Sequence, residues 1–277
     1  MGQEPSFFDF AAQVGFTKHL GGVDASDELA KLCHISRDSV VLDVGCGAGA
    51  TACYLAKKVG CQVTGVDIND KMVQRSIERA EKAGLSGRVT FKVADAQELP
   101  FDDESFDAVL TESVTAFPSD KQRAVLEYAR VTKPGGYVGL NESTWLKDPP
   151  PEMVAWVSQD VSGNAMPLSA AEWQQLLVGA GLTEIVVLTR AIEARSEASS
   201  MLKRYGYRGM LGVWGRMLGL YVRDPAYRRF LKGLREQGLA PKEIDAYLGL
   251  GLYCGQRVDR PSTRSSQEQL GQRMGVH

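Results

Sequence analysis

The chain has 277 residues, which at roughly 100 to 200 residues per domain allows one large domain or a domain carrying a sizeable insertion. Hydrophobic residues make up 44% and charged residues 24%, which excludes a wholly disordered, collagen-like or disulfide-scaffold chain. The net charge of −2 hides an asymmetry: residues 1–200 hold 18 basic and 28 acidic side chains, whereas residues 201–236 hold nine basic and two acidic.

The stretch 1–38 reads as an N-terminal helical segment. From position 39 onward, short β-rich runs alternate with longer patterns in which apolar residues recur every three or four positions, the signature of an α/β fold with a mostly parallel sheet. Strands are predicted at 40–44, 62–66, 89–93, 108–111, 136–141 and 184–189, and helices at 50–59, 70–83, 120–131 and 169–180. Asp70 is the expected cap of the second helix and Ser119 or Asp120 that of the third, while Ser169 with Glu172 forms a capping box for the fourth. Segment 143–151, with Trp145, reads as a loop. Residues 195–248 read as helices without a strand, and 249–257 turns strand-like again. The helical block is therefore an insertion before the last strand or, alternatively, a separate helical domain. The tail 259–277 has few large apolar residues and is expected to be disordered.

No apolar run reaches the ~18 residues of a membrane-spanning helix, and the N-terminus lacks the pattern of a secretory signal, so the cytoplasm is the expected compartment. Five cysteines form no C-x-x-C pair, which suits a reduced environment. Three histidines, His19, His34 and His277, cluster with no cysteine at ligand spacing, so no metal is expected. The acidic first 200 residues offer no stripe for a phosphate backbone, which disfavours a nucleic-acid partner.

The sharpest local signal is Val40-Val41-Leu42-Asp43-Val44-Gly45-Cys46-Gly47-Ala48-Gly49-Ala50, an apolar strand entering a glycine loop and then a helix. Glycines there let the backbone turn tightly and approach a ligand closely. Gly45, Gly47 and Ala50 also satisfy G-x-G-x-x-A, so an NAD-dependent oxidoreductase stands as an alternative, as does a nucleoside-cofactor-binding protein without catalysis. Asp67 ends the second strand 20 residues after Gly47, where a carboxylate accepts hydrogen bonds from both hydroxyls of a ribose. Asp95 ends the third strand.

The runs Asp43 to Gly49, Asp95 to Asp107 and Lys133-Pro134-Gly135-Gly136 together resemble class I S-adenosylmethionine-dependent methyltransferases, most of all the small-molecule branch that includes ubiquinone and menaquinone biosynthesis methyltransferases. The resemblance is strong over about 39–141. It implies a Rossmann-like seven-stranded sheet of order 3-2-1-4-5-7-6 with an antiparallel last strand, formed by 39–194 and 249–258, and S-adenosyl-L-methionine as cofactor with S-adenosyl-L-homocysteine as product. It further implies cofactor contacts from Asp43, Gly45, Cys46, Gly47 and Gly49, with Asp67 on the ribose, Ile68 on the adenine face, and Asp95 with Ala96 at the adenine amino group. Glu112 and Ser113 would lie near the reactive methyl, and the N-terminal segment, with Phe7, Phe8, Phe16 and the Gly21-Gly22 pair, would close over the cofactor.

The methyl acceptor is expected to be a small molecule with an N, O or C nucleophile that attacks in line, and Glu112, His19 and Glu142 are the candidate bases. Glu142 also reads as the cap of a loop. Acceptor contacts are expected from Trp145, Tyr205, Tyr207 and Trp214, the last three in a block (195–248) read as a substrate lid. The same block, basic over 201–236, also reads as a surface meeting membrane or an acidic partner, or as ordinary packing against the core. Glycines 206, 209, 212, 215 and 219 each weaken a helix there by ~1 kcal/mol relative to alanine.

Overall fold

A computed structural model describes residues 7–14, 20–158, 165–192, 194–237, 241 and 243–258. The elements run in the order α1 (Phe7–Val14), α2 (Gly22–Leu32), β1 (Val40–Val44), α3 (Ala50–Lys58), β2 (Gln62–Asp67), α4 (Asp70–Lys82), β3 (Val89–Val93), β4 (Phe106–Glu112), α5 (Lys121–Val131) and β5 (Thr132–Trp145). They continue with α6 (Pro151–Val157), β6 (Leu168–Ser169), α7 (Ala170–Gly179), β7 (Leu182–Ala191), α8 (Ala194–Arg223), α9 (Pro225–Gln237), α10 (Ile244–Tyr247) and β8 (Leu248–Arg257).

The sheet has the order β3-β2-β1-β4-β5-β8-β7, with the two-residue β6 pairing beside the end of β5. Leaving β6 aside, this is the expected order 3-2-1-4-5-7-6. β8 runs antiparallel to both of its neighbours, from Tyr137↔Gln256 to Trp145↔Leu248 on one side and from Leu182↔Arg257 to Ala191↔Gly249 on the other. β7 is consequently parallel to β5, and both end at the edge where β1, β2 and β4 end. Residues 192–247 leave and rejoin the sheet at that same edge.

Alternation along each strand splits the apolar side chains between two faces. Leu42 and Val109 join Tyr128, Trp173 and Leu177 in one core, under α5 and α7, whereas Val41, Ala108 and Leu110 join Leu29, Leu55 and Ala80 in the other, under α2, α3 and α4. The last strand obeys the same rule: Leu250, Leu252 and Cys254 face the second core and Tyr253 the first.

Two expectations are corrected. The cap of α4 is Asn69, whose side chain accepts from the Lys71 and Met72 amides, because Asp70 is already the first helical residue. Ser143–Trp145 belong to β5 rather than to a loop, held there by pairing with Leu248–Leu250 of β8. The rest of that segment leads into α6, which starts at Pro151, where the fixed φ of proline suits a first helical turn. Asp120 caps α5 through the Arg123 amide, and the Ser169–Glu172 capping box of α7 is present as expected.

Candidate active site

The ends of the parallel strands bring four separated segments to one sheet edge. β1 passes into Gly45–Gly49; Gly45, Gly47 and Gly49 all have positive φ, and a Cβ at Gly49 would lie 2.8 Å from the Phe91 ring and 2.9 Å from Ser76. The loop backbone is clamped from α4, where the Ser76 hydroxyl donates to the Gly47 carbonyl at 2.7 Å and Arg79 Nε to the Ala48 carbonyl at 2.7 Å. Cys46 is buried within the loop, and its surroundings push its thiol pKa up, burial first and then the nearby carboxylates of Asp43 and Asp67.

Asp67, at the end of β2, bridges this loop to its own turn. One carboxylate oxygen accepts from the Gly47 amide at 2.9 Å and the other from the Asn69 amide at 2.9 Å. Burial raises the Asp67 carboxyl above its ordinary value, and the two amides oppose that rise. Each carboxylate oxygen retains a further lone pair for an incoming hydroxyl. Ile68 follows with its side chain 71% exposed, an apolar surface left open beside the carboxylate. The Ala94 amide donates to the Asp67 carbonyl, and the next residue, Asp95, accepts from the Gln97 amide at 2.8 Å, so the two acids stand at the ends of adjacent strands with Ala96 beside them.

At the end of β4, Glu112 is buried and accepts from Ser26 Oγ at 2.9 Å, Thr51 Oγ1 at 2.6 Å and Asn141 Nδ2 at 3.3 Å, which joins α2, α3 and β5 in one knot. Ser113 has a left-handed backbone at φ 58, a strained state for a non-glycine residue, and its amide donates to the Asn141 carbonyl. The Leu20 amide donates to Ser113 Oγ and its carbonyl accepts from Asn141 Nδ2, so the N-terminal segment crosses the ends of β4 and β5. Glu142 is completely buried, and one carboxylate oxygen takes the Val114 and Thr115 amides at 3.0 and 2.7 Å, capping the loop after β4. Burial, partly opposed by those amides, lifts its carboxyl to about 7.

Asp43, Gly45, Cys46, Gly47, Gly49, Asp67, Ile68, Asp95, Ala96, Glu112 and Ser113 thus share one edge. The residues named for the acceptor do not gather with them. Trp145, the last residue of β5, is buried against Met153 and Val157, and Tyr207 and Trp214 are 77% and 65% exposed on α8. His19, Phe16 and the tail 259–277 lie outside the described residues, as do the side chains of Phe7, Phe8 and Tyr205. Ser26, Thr51 and Asn141, which hold Glu112, carry no signal in the sequence, since their role exists only once segments 29 to 86 residues apart meet.

Known proteins share this fold. Residues 42–140 match the family model of a methyltransferase domain. An uncharacterized protein of Haemophilus influenzae is 31% identical over 180 residues, 64% of this chain and 72% of its own length. The 27-O-demethylrifamycin SV methyltransferase of Amycolatopsis mediterranei is 38% identical over 125 residues, 45% of this chain and 46% of that enzyme, so the chain spans about half of that relative's length. Among solved structures, the Haemonchus contortus phosphoethanolamine N-methyltransferase 2 in complex with S-adenosyl-L-methionine superposes with a TM-score of 0.68 at 20% identity, covering 92% of this chain and 58% of that one. The glycine cradle, the paired acceptors of Asp67 and the open face of Ile68 suit an adenosine-bearing cofactor. Residues 42–140 are thus a methyltransferase domain, set on the fold that this chain shares with S-adenosylmethionine-dependent methyltransferases.

Proposed function

We propose that this protein transfers the methyl group of S-adenosyl-L-methionine to a small-molecule acceptor whose nitrogen, oxygen or carbon atom attacks in line. The observation that carries the reading is the Asp67 carboxylate, which ties the glycine loop to the end of β2 and keeps lone pairs for a ribose. The bound cofactor supplies an electrophilic methyl on a sulfonium sulfur. The chain's part is to align the nucleophile and exclude water.

In this reading Gly45–Gly49 receive the methionine portion, Asp67 accepts from the ribose hydroxyls, Ile68 packs on the adenine and Asp95 with Ala96 recognises its amino group. Glu112 is a positioning residue, because its oxygens are taken up by Ser26, Thr51 and Asn141. Glu142 is likewise committed to the loop after β4. Alignment rather than either carboxylate therefore carries the rate for a neutral nucleophile. Residues 195–248, which begin and end at the cofactor edge of the sheet, form the acceptor-side cover together with α1 and α2, against which α8 packs. The rifamycin named for the Amycolatopsis relative supports a small-molecule acceptor, the match covering 46% of that enzyme.

Titration calorimetry with S-adenosyl-L-methionine and with NAD, followed by an S-adenosyl-L-homocysteine release screen over quinol, amine, fatty-acid and phenol pools, tests the reading. Binding of the first cofactor, and acceptor-dependent release, are expected. NAD binding in place of S-adenosyl-L-methionine, or cofactor binding with no turnover on any pool, would favour the oxidoreductase or non-catalytic alternatives.

A further inference from the structure

Six large apolar side chains on α8 stand in water: Tyr207 (77% exposed), Leu211 (72%), Trp214 (65%), Leu218 (65%), Tyr221 (51%) and Val222 (67%). The steps from 207 to 221 are four, three, four and three residues, so they fall on one face of the helix, along about 22 Å at 1.5 Å per residue. The opposite side is the packed one. Val213 is buried there, and Arg216 Nε donates to the Val14 carbonyl of α1. Side chains exposed to this degree line no enclosed pocket, and a continuous apolar stripe of this size marks a contact surface.

The surroundings of the stripe are cationic. Arg223, Arg228, Arg229, Lys232 and Arg235 are all exposed on the end of α8 and on α9. Arg228 donates to the carbonyls of Tyr221 and Val222, which puts a guanidinium at the end of the stripe. The two acids of segment 201–236 are engaged locally: Asp224 accepts from the Ala226 amide at the start of α9, and Glu236 lies 3.5 Å from Lys232. A strongly positive ridge thus sits on a chain whose overall charge is −2.

We propose that the outer face of α8 is a membrane-contact surface that lies flat on an anionic lipid bilayer, the stripe entering the headgroup boundary and the arginines of α8 and α9 meeting lipid phosphates and carboxylates. The rings of Tyr207, Trp214 and Tyr221 recur every seven residues, and such rings favour the boundary between headgroups and hydrocarbon. No described helix is long and apolar enough to cross a membrane, so the contact is in-plane. A second copy of the chain is the poorer occupant, since a two-fold pairing would bring two like-charged ridges together. An acidic peptide is also poorer, because a protruding helix face offers it no groove. The inference is independent of the identity of the methyl acceptor.

Trp214 is the most exposed of the four tryptophans, since Trp145 and Trp173 are buried at 8% and 0% exposure and Trp156 is half-buried against Trp145, Met153 and Val157, and a Trp214→Phe control isolates its signal. Adding phosphatidylcholine vesicles that contain phosphatidylserine should shift the tryptophan emission to shorter wavelength and sediment the full chain, whereas pure phosphatidylcholine vesicles should do so at least several-fold less. About 0.5 M salt should weaken the anionic binding several-fold. Leu211→Ser with Leu218→Ser should lower the vesicle partition coefficient about tenfold or more. Unchanged S-adenosyl-L-methionine binding by calorimetry would show that this variant is folded. Arg223→Glu with Arg235→Glu should abolish the preference for anionic vesicles. No emission shift with anionic vesicles, or partition indifferent to the two leucines, would overturn the proposal. So would a dimer in sedimentation that shields Trp214 from a soluble quencher, which would assign the face to a second copy, or an equal shift with polyglutamate, which would assign it to an acidic protein.

Discussion

Val114 fills the volume that a side chain at Gly45 would need: a Cβ built on Gly45 runs into both methyl groups of Val114. The loop after β4, held by Glu142, and the glycine loop after β1 are therefore in mutual contact, and the shape of one fixes the other. Gly45→Ala should lower stability and cofactor affinity together. Gly84 is the matching control, since it has nearly the same φ, 67 against 68, with no atom within 4 Å of its Cβ position. Gly84→Ala should cost only the backbone strain, about 1 kcal/mol, and Gly45→Ala about 2 to 4 kcal/mol. Equal costs in chemical denaturation would mean that Val114 yields freely.

Asp67→Asn and Asp67→Ala should both fold, as circular dichroism can establish. Loss of a hydrogen-bonded charge typically removes about 1.5 to 3 kcal/mol, so S-adenosyl-L-methionine affinity should fall roughly ten- to a hundredfold in the alanine variant. The asparagine variant, which keeps one acceptor for the loop amides, should lose less. Unchanged affinity in calorimetry would place the ribose elsewhere.

Glu142 makes stability depend on pH. Its carboxyl ordinarily titrates near 4.5 and in the fold near 7, so between those values the folded chain holds a proton that the unfolded chain has released. The contribution is fully present below about pH 4.5 and is lost as pH rises through 7. Lys121, Tyr128 and Tyr253 are the titratable groups that feel this charge. Relative to Glu142→Gln, the unmodified chain should lose about 3 kcal/mol between pH 4.5 and 7.5 in urea unfolding. Parallel pH curves for the two proteins would rule this out.

Replacing 195–248 by a short linker should leave S-adenosyl-L-methionine binding within about tenfold and abolish transfer, because the block and the N-terminal helices would exclude water from the acceptor. Undiminished turnover on the same acceptor would make the block an independent module.

The sheet was legible because its strands are short apolar runs set between glycines and amphipathic helices; β1 and β3 carry the boundaries the sequence suggests. β5 was read short because it continues through Asn141, Glu142, Ser143 and Thr144, a polar run that nothing in the sequence marks as interior. Three of those residues are fully buried, and their burial becomes tolerable only through partners brought by distant segments, such as Tyr253 for Thr144 and the Val114 and Thr115 amides for Glu142. The edge acids Asp67 and Asp95 were legible for the opposite reason, since one closes the apolar run of β2 and the other comes two residues after β3. Composition left the α8 rings open to a pocket, a contact surface or ordinary packing, and only the helix's orientation against α1 and α2 turns Tyr207, Trp214 and Tyr221 outward.

The place of β8 bears on how this chain is made. Its ten residues lie between β5 and β7 and supply the hydrogen-bonded neighbour of both, yet they are translated after the whole helical block. While the ribosome is still adding α8 and α9, β5 and β7 each present an open edge, and among the described residues β7 has no other strand to pair with. The nascent chain therefore cannot finish its sheet from the N-terminus forward, and a transcript cut short before codon 248 would yield a protein with two sticky edges and an incomplete core.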